Sequence, residues 1–120
     1  MKILYLEDNP LNVVVMEFML KKYDLDVAIN SAEAFSKLDN VTYDLLLLDI
    51  HLGEDIDGID VLKAAREKPA NRNTPAYAVT AFTAEADKKR FEENGFDDYF
   101  PKPVDRDRLR QRIEKLANSK

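Results

Sequence analysis

The run Leu45-Leu46-Leu47-Leu48, closed by Asp49, constrains this chain more than any other feature. Four consecutive leucines leave no polar face, so the segment suits a strand covered on both sides, as in a parallel sheet between two helical layers. A carboxylate at the carboxyl end of such a strand stands where open α/β sheets place their ligands. The pattern recurs along the sequence. Ile3-Leu4-Tyr5-Leu6 runs into Glu7-Asp8, Tyr77-Ala78-Val79 into Thr80, and the Tyr99-Phe100 segment toward Lys102.

Helical periodicity alternates with these strand-like segments, which are expected at 2–7, 26–29, 44–48, 76–80 and 97–100. Asn9-Pro10 supplies an N-cap and a proline at the first helical position. Leu11, Val14, Val15 and Phe18 follow at i, i+3, i+4 and i+7, and predict the apolar face of a first helix ending near Lys22. Ser31 is the expected cap of a second helix with Phe35 and Leu38 inward. Ile59, Leu62 and Ala65 mark a third, stopped by Pro69. Thr83 is the expected cap of a fourth, ending at Asn94-Gly95. Asp105 caps the last, where Leu109, Ile113 and Leu116 share a face. Five βα units joined by right-handed crossovers predict an α/β fold. The expected form is a doubly wound, five-stranded parallel sheet of order 2-1-3-4-5, with five helices on both faces, built as one domain over 1–120. That order sets Glu7, Asp8 and Asp49 side by side.

Bulk properties narrow the function. Eighteen Lys and Arg against twenty-three Asp and Glu give a net charge of -5, which argues against direct nucleic-acid binding or attachment to an anionic membrane. With no cysteine and only His51, thiolate and multi-histidine metal sites are excluded. The apolar runs are strand-sized and no signal-peptide core is present, so a cytoplasmic location without membrane insertion is expected.

Each rim residue alone has an ordinary reading: helix-start acids for Glu7 and Asp8, a turn acid for Asp49, a strand hydroxyl for Thr80, a surface amine for Lys102. Their convergence on one sheet edge is what carries chemistry. Two carboxylates about 4 Å apart repel by roughly 4 kcal/mol at an effective dielectric of 20, so three of them call for a cation. An all-oxygen donor set suits a hard ion, Mg²⁺, with Mn²⁺ as substitute. Asp49 is then the best nucleophile, able to form an acyl phosphate. Phosphoryl transfer needs mainly alignment and charge neutralisation, which Lys102 and the Thr80 hydroxyl can supply, while Ala81 leaves room for the incoming group.

The motifs Leu6-Glu7-Asp8-Asn9, Leu47-Leu48-Asp49-Ile50, Val79-Thr80-Ala81 and Lys102-Pro103, in this order and spacing, resemble the receiver domain of two-component response regulators over essentially the whole chain. The resemblance implies a flavodoxin-like fold and a signalling domain, not an enzyme with turnover. It implies that Glu7, Asp8, Asp49 and the backbone carbonyl of His51 hold Mg²⁺. Asp49 would accept a phosphoryl group from a sensor histidine kinase or a histidine phosphotransfer protein, with Thr80 and Lys102 on the phosphoryl oxygens. Tyr99 matches the family's switch aromatic, on a surface of helix four, strand five and helix five that would meet a downstream protein target or, after phosphorylation, a second copy. The Lys102-Pro103 bond is expected to be cis. Two departures stand out. Gly53 occupies the place where the family commonly has proline, and Asp57-Gly58 arrives one residue late, so the loop after Asp49 is lengthened. Pro101 directly before Lys102 is also unusual.

Other features have plainer readings. The His51 side chain is expected at the site mouth, where it and Phe82 could tune water access. Glu54, Asp55 and Asp57 lack the spacing of a calcium loop and read as a solvated acidic segment. The arginines of the last helix read as a solvated face. A phosphohydrolase working through an aspartyl-phosphate, a flavodoxin-type cofactor binder and a phosphorylation-independent docking module remain as alternatives, though Glu7-Asp8 would repel a cofactor phosphate.

Overall fold

The structure is a computed structural model that describes residues 1–81 and 84–119. Five strands, β1 (Lys2–Leu6), β2 (Asp24–Ala28), β3 (Leu45–Asp49), β4 (Ala76–Thr80) and β5 (Asp98–Pro101), form one sheet of order β2-β1-β3-β4-β5, with every neighbouring pair parallel. Five helices alternate with them: α1 (Pro10–Met19), α2 (Ser31–Asn40), α3 (Gly58–Arg66), α4 (Glu85–Glu93) and α5 (Arg106–Asn118). The predicted α/β architecture and strand order are therefore those observed.

The leucine run explains the layering. Strand side chains alternate between faces, so Leu46 and Leu48 join Leu38 of α2, Leu62 of α3 and Phe91 of α4 in one core layer. Leu45 and Leu47 enter the opposite layer with Met16 of α1 and Leu109 and Ile113 of α5. All five β3 residues are buried, Asp49 included. Parallel register then brings the strand ends level: Leu6 pairs with Leu48, Asp49 with Val79, and Thr80 with Pro101.

The first helix corrects the sequence reading. Leu11, Val14, Val15 and Phe18 do not face the sheet; they are 70%, 61%, 44% and 62% exposed. The inward face is Met16, with Val13, Met19 and the following Leu20. Both sets obey helical spacing, because this helix is apolar nearly all round, and periodicity alone cannot choose between them.

The ends of elements differ in smaller ways. Asn9 and Asp105 cap α1 and α5 as expected, accepting from backbone N–H groups through their side chains. The cap of α2 is Asn30, not Ser31; the Ser31 hydroxyl and N–H both donate to Glu54, at 2.7 and 3.0 Å. Helix α1 stops at Met19 instead of near Lys22, and Ile29, expected in β2, lies beyond its end and is exposed. Helix α4 follows Ala84; Thr83, its expected cap, and Phe82 lie outside the described residues.

Candidate functional site

The level strand ends produce one cluster. Glu7 leaves β1, Asp8 follows it, and Asp49 ends β3; ligand oxygens of all three lie within 4.8 Å of one another. From the far side of the sheet the chain leaving β5 delivers Lys102, whose N–H donates to the Thr80 carbonyl at 2.8 Å. The Lys102–Pro103 peptide is cis, as the resemblance implied. The Lys102 ammonium reaches Glu7 Oε1 at 2.9 Å and Asp49 Oδ2 at 3.0 Å. Thr80 is buried at the end of β4, one strand over from Asp49. His51 is exposed at the mouth, and its backbone N–H donates to Asp49 Oδ1 at 3.2 Å. The sheet thus gathers Glu7, Asp8, Asp49, Thr80 and Lys102 on one rim. Tyr99 stands apart from them, half-buried between Lys88 of α4 and Arg108 of α5, whose charges lie 5.3 and 5.9 Å from its ring centre.

Burial sets the electrostatics. Asp49 is pushed up to about 7, mainly by loss of water; the Lys102 hydrogen bond opposes this, and neighbouring Glu7 reinforces it. Burial would raise Glu7 too, but hydrogen bonds from Lys102 and Asp49 outweigh it and hold Glu7 below the usual range. Asp8, at the lip, is raised by partial desolvation and by Glu7 beside it. Burial works against the charged Lys102, yet its bonds to Glu7 and Asp49 win and raise it. One ammonium therefore shares two buried carboxylates, with a third acid at their edge. This donor set, oxygen-only and short of positive charge, fits a hard divalent cation.

The lengthened loop after β3 has a defined course. Gly53 has φ +67°, a conformation closed to proline, whose φ is fixed near −65°. A proline-bearing loop would run differently here. Gly58 opens α3 directly beneath the end of β3, and a Cβ there would stand 2.4 Å from the Asp49 carbonyl oxygen. The late glycine thus permits the close approach of helix and strand. Asp57 caps α3 in a reciprocal capping box with Asp60 and pairs with Arg90 of α4 at 3.2 Å. With Glu54 on Ser31, the acidic segment is tied to α2, α3 and α4 instead of being merely solvated.

Two residues that sequence reasoning did not select complete the surroundings of Glu7. The buried Tyr5 hydroxyl donates to Glu7 Oε1 at 3.0 Å, and the Asn12 carboxamide donates to the same oxygen at 3.2 Å. Period two places Tyr5 and Glu7 on the same side of β1, a signal present in the sequence.

Comparison with known proteins accords with this geometry. Residues 3–114 match the family described as the response regulator receiver domain. An uncharacterized 14.6 kDa protein of Leptolyngbya boryana is 36% identical over 107 residues, 88% of this chain and 81% of that protein. Hybrid signal transduction histidine kinase I of Dictyostelium discoideum is 35% identical over 112 residues, covering 86% of this chain but only 6% of the kinase. Among solved structures, the receiver domain of a sensor histidine kinase from Pseudomonas aeruginosa PAO1, with magnesium coordinated in its active-site cleft, superposes with a TM-score of 0.85 at 29% identity, covering 96% of this chain and 95% of that one. No described helix is long and apolar enough to cross a membrane. The chain belongs to the response regulator receiver domain family of two-component signalling systems.

Proposed function

We propose that Asp49 accepts a phosphoryl group from a phosphohistidine, carried by a sensor histidine kinase or a histidine phosphotransfer protein, and that residues 1–120 act as one cytoplasmic phosphoacceptor module. The observation that carries the reading is the shared ammonium: Lys102 lies at hydrogen-bond distance from both Glu7 and Asp49 at the end of the buried central strand. In the transfer, an Asp49 carboxylate oxygen forms a bond to phosphorus, the N–P bond of the donor breaks, and its electron pair returns to the imidazole nitrogen. Mg²⁺, held by Glu7, Asp8, Asp49 and the His51 carbonyl, would neutralise phosphoryl charge and favour ionised Asp49; Mn²⁺ would substitute. Lys102 pairs with one phosphoryl oxygen and the Thr80 hydroxyl donates to another. The chain works as a signalling domain that accepts and slowly loses its phosphoryl group, without turnover of another substrate.

The exposed face of α1 supports a protein donor. Leu11 and Val15, with Met19, Pro103 and Val104, line a groove of about 230 Å³ that runs up to Lys102 itself. Apolar side chains in water beside the nucleophile suit a partner that must bring its histidine to Asp49. The output surface is α4, β5 and α5, where Tyr99 responds to Thr80 and meets a downstream protein or a second copy. No direct contact with nucleic acid is part of this reading.

The test is incorporation of phosphoryl from acetyl phosphate, followed by intact mass. Wild type should gain one phosphoryl group only with Mg²⁺ present, and Asp49→Asn should gain none. Labelling that is indifferent to both changes would reject the site.

A further inference from the structure

Glu7 is fully buried, and a buried carboxylate needs donors on its oxygens. Oε1 accepts from three: Lys102 at 2.9 Å, the Tyr5 hydroxyl at 3.0 Å and the Asn12 carboxamide at 3.2 Å. Oε2 accepts from the Asn9 backbone N–H at 3.3 Å. These donors are not equivalent. Lys102 is divided between Glu7 and Asp49, and under the proposed function it turns to a phosphoryl oxygen. Tyr5 and Asn12 have no such second duty.

Tyr5 is also unusual for its place. Its ring is packed in the apolar layer between sheet and α1, with Met16 and Leu47 nearby in the same cluster, where phenylalanine would fill the same space. The hydroxyl adds nothing to that packing and is spent on Glu7. Tyr77, in the same layer, is the contrasting case: its buried hydroxyl has no hydrogen-bond partner among the described residues.

We propose that Tyr5 is a positioning residue of the phosphoacceptor site, whose hydroxyl, together with the Asn12 carboxamide, fixes the Glu7 carboxylate for a divalent cation and keeps it satisfied when Lys102 moves away. The inference rests on the phosphoacceptor reading and adds to it the residues that orient the metal-facing acid. Tyr5 does not itself touch the cation or the phosphoryl group. A tyrosine held by core packing on a rigid strand loses little freedom in making this bond, which suits it to orient a ligand.

The experiment is calorimetric titration of the full chain with MgCl₂ in wild type, Tyr5→Phe, Asn12→Ala and Tyr77→Phe, with metal-free melting temperatures measured in parallel. Loss of an outer partner of a metal ligand costs about 10-fold in affinity at the lower end of the usual range, so Tyr5→Phe should raise the Mg²⁺ Kd by about that factor and Asn12→Ala should move it the same way. Tyr77→Phe, the matched hydroxyl deletion, should leave it unchanged. At saturating Mg²⁺ the acetyl phosphate labelling rate of Tyr5→Phe should return to the wild-type value. An unchanged Kd in Tyr5→Phe overturns the proposal whatever Asn12→Ala does, as does a labelling rate that stays depressed at saturating Mg²⁺. Wild type that neither binds Mg²⁺ nor takes label would instead bring down the functional reading beneath it.

Discussion

Helices α1 and α5 pack side by side on the same face of the sheet, yet they treat water in opposite ways. Helix α5 buries Leu109 and Ile113 and turns charged side chains outward. Its arginines are matched from within: Arg108 and Arg112 both pair with Asp98 of β5, at 3.0 and 3.2 Å, and Arg110 donates to the Met19 carbonyl at 2.8 Å. Helix α1 buries Met16 and leaves Leu11, Val14, Val15 and Phe18 in solvent. The arginines of α5 thus find partners within the domain while staying on its surface. Helix α1 keeps its apolar stripe exposed beside the rim, and under the proposed function that stripe is where a phosphodonor protein would dock.

Core substitutions should break the comparison most visibly. Met16→Ala and Leu109→Ala each remove a buried side chain and should destabilise by about 2–5 kcal/mol, whereas Leu11→Ala, on the exposed face, should stay within about 0.5 kcal/mol. Urea unfolding of the three variants checks this, and a large loss for Leu11→Ala would restore the inward face that spacing alone suggested. A smaller effect sharpens the functional half. Val14→Asp with Phe18→Asp should weaken phosphoryl transfer from a cognate phosphohistidine protein by about 2 kcal/mol, or roughly 30-fold. Acetyl phosphate labelling should be unaffected, and charge reversal at exposed Arg106 on α5 should leave both rates alone.

The smallest effect lies at the rim between the two helices. Asp49 is raised to about 7 by burial, against Lys102 and with Glu7. A group whose folded pKa exceeds its unfolded one stabilises at low pH and loses that contribution as pH rises through the folded value. Metal-free protein should therefore lose stability between about pH 4 and pH 7 from this group. Glu7, held low, acts the other way and in a lower window, losing its contribution as pH falls below the ordinary carboxylate range. Thermal melts in chelator across this range should show the decline in wild type and its absence in Asp49→Asn.

The sheet order and the rim residues were legible because they rest on strong, redundant signals. The leucine run can only be central, and parallel strands of equal length bring their terminal acids level. The orientation of α1 was not legible, for a physical reason. Asn12 lies on the inner side, where its carboxamide serves Glu7, so the buried face looks less apolar than the exposed one. The acidic segment after β3 misled similarly: Glu54 and Asp57 read as solvated because their partners, Ser31 and Arg90, are 23 and 33 residues away in sequence. Tyr5 sits inside an apolar strand run, and only its two-residue spacing from Glu7 marks a hydroxyl that meets that carboxylate. Capping at Asn30 in place of Ser31 is a one-residue choice between two good caps.

The central claim is that the phosphoryl group sits on Asp49. Borohydride reduces an acyl phosphate of aspartate to homoserine, which marks the acceptor permanently. Protein labelled by acetyl phosphate with Mg²⁺, reduced in this way and mapped by peptide mass spectrometry, should carry homoserine at position 49 alone. Homoserine at position 8, or a phosphoryl group found on His51 with Asp49 unmodified, would contradict the account.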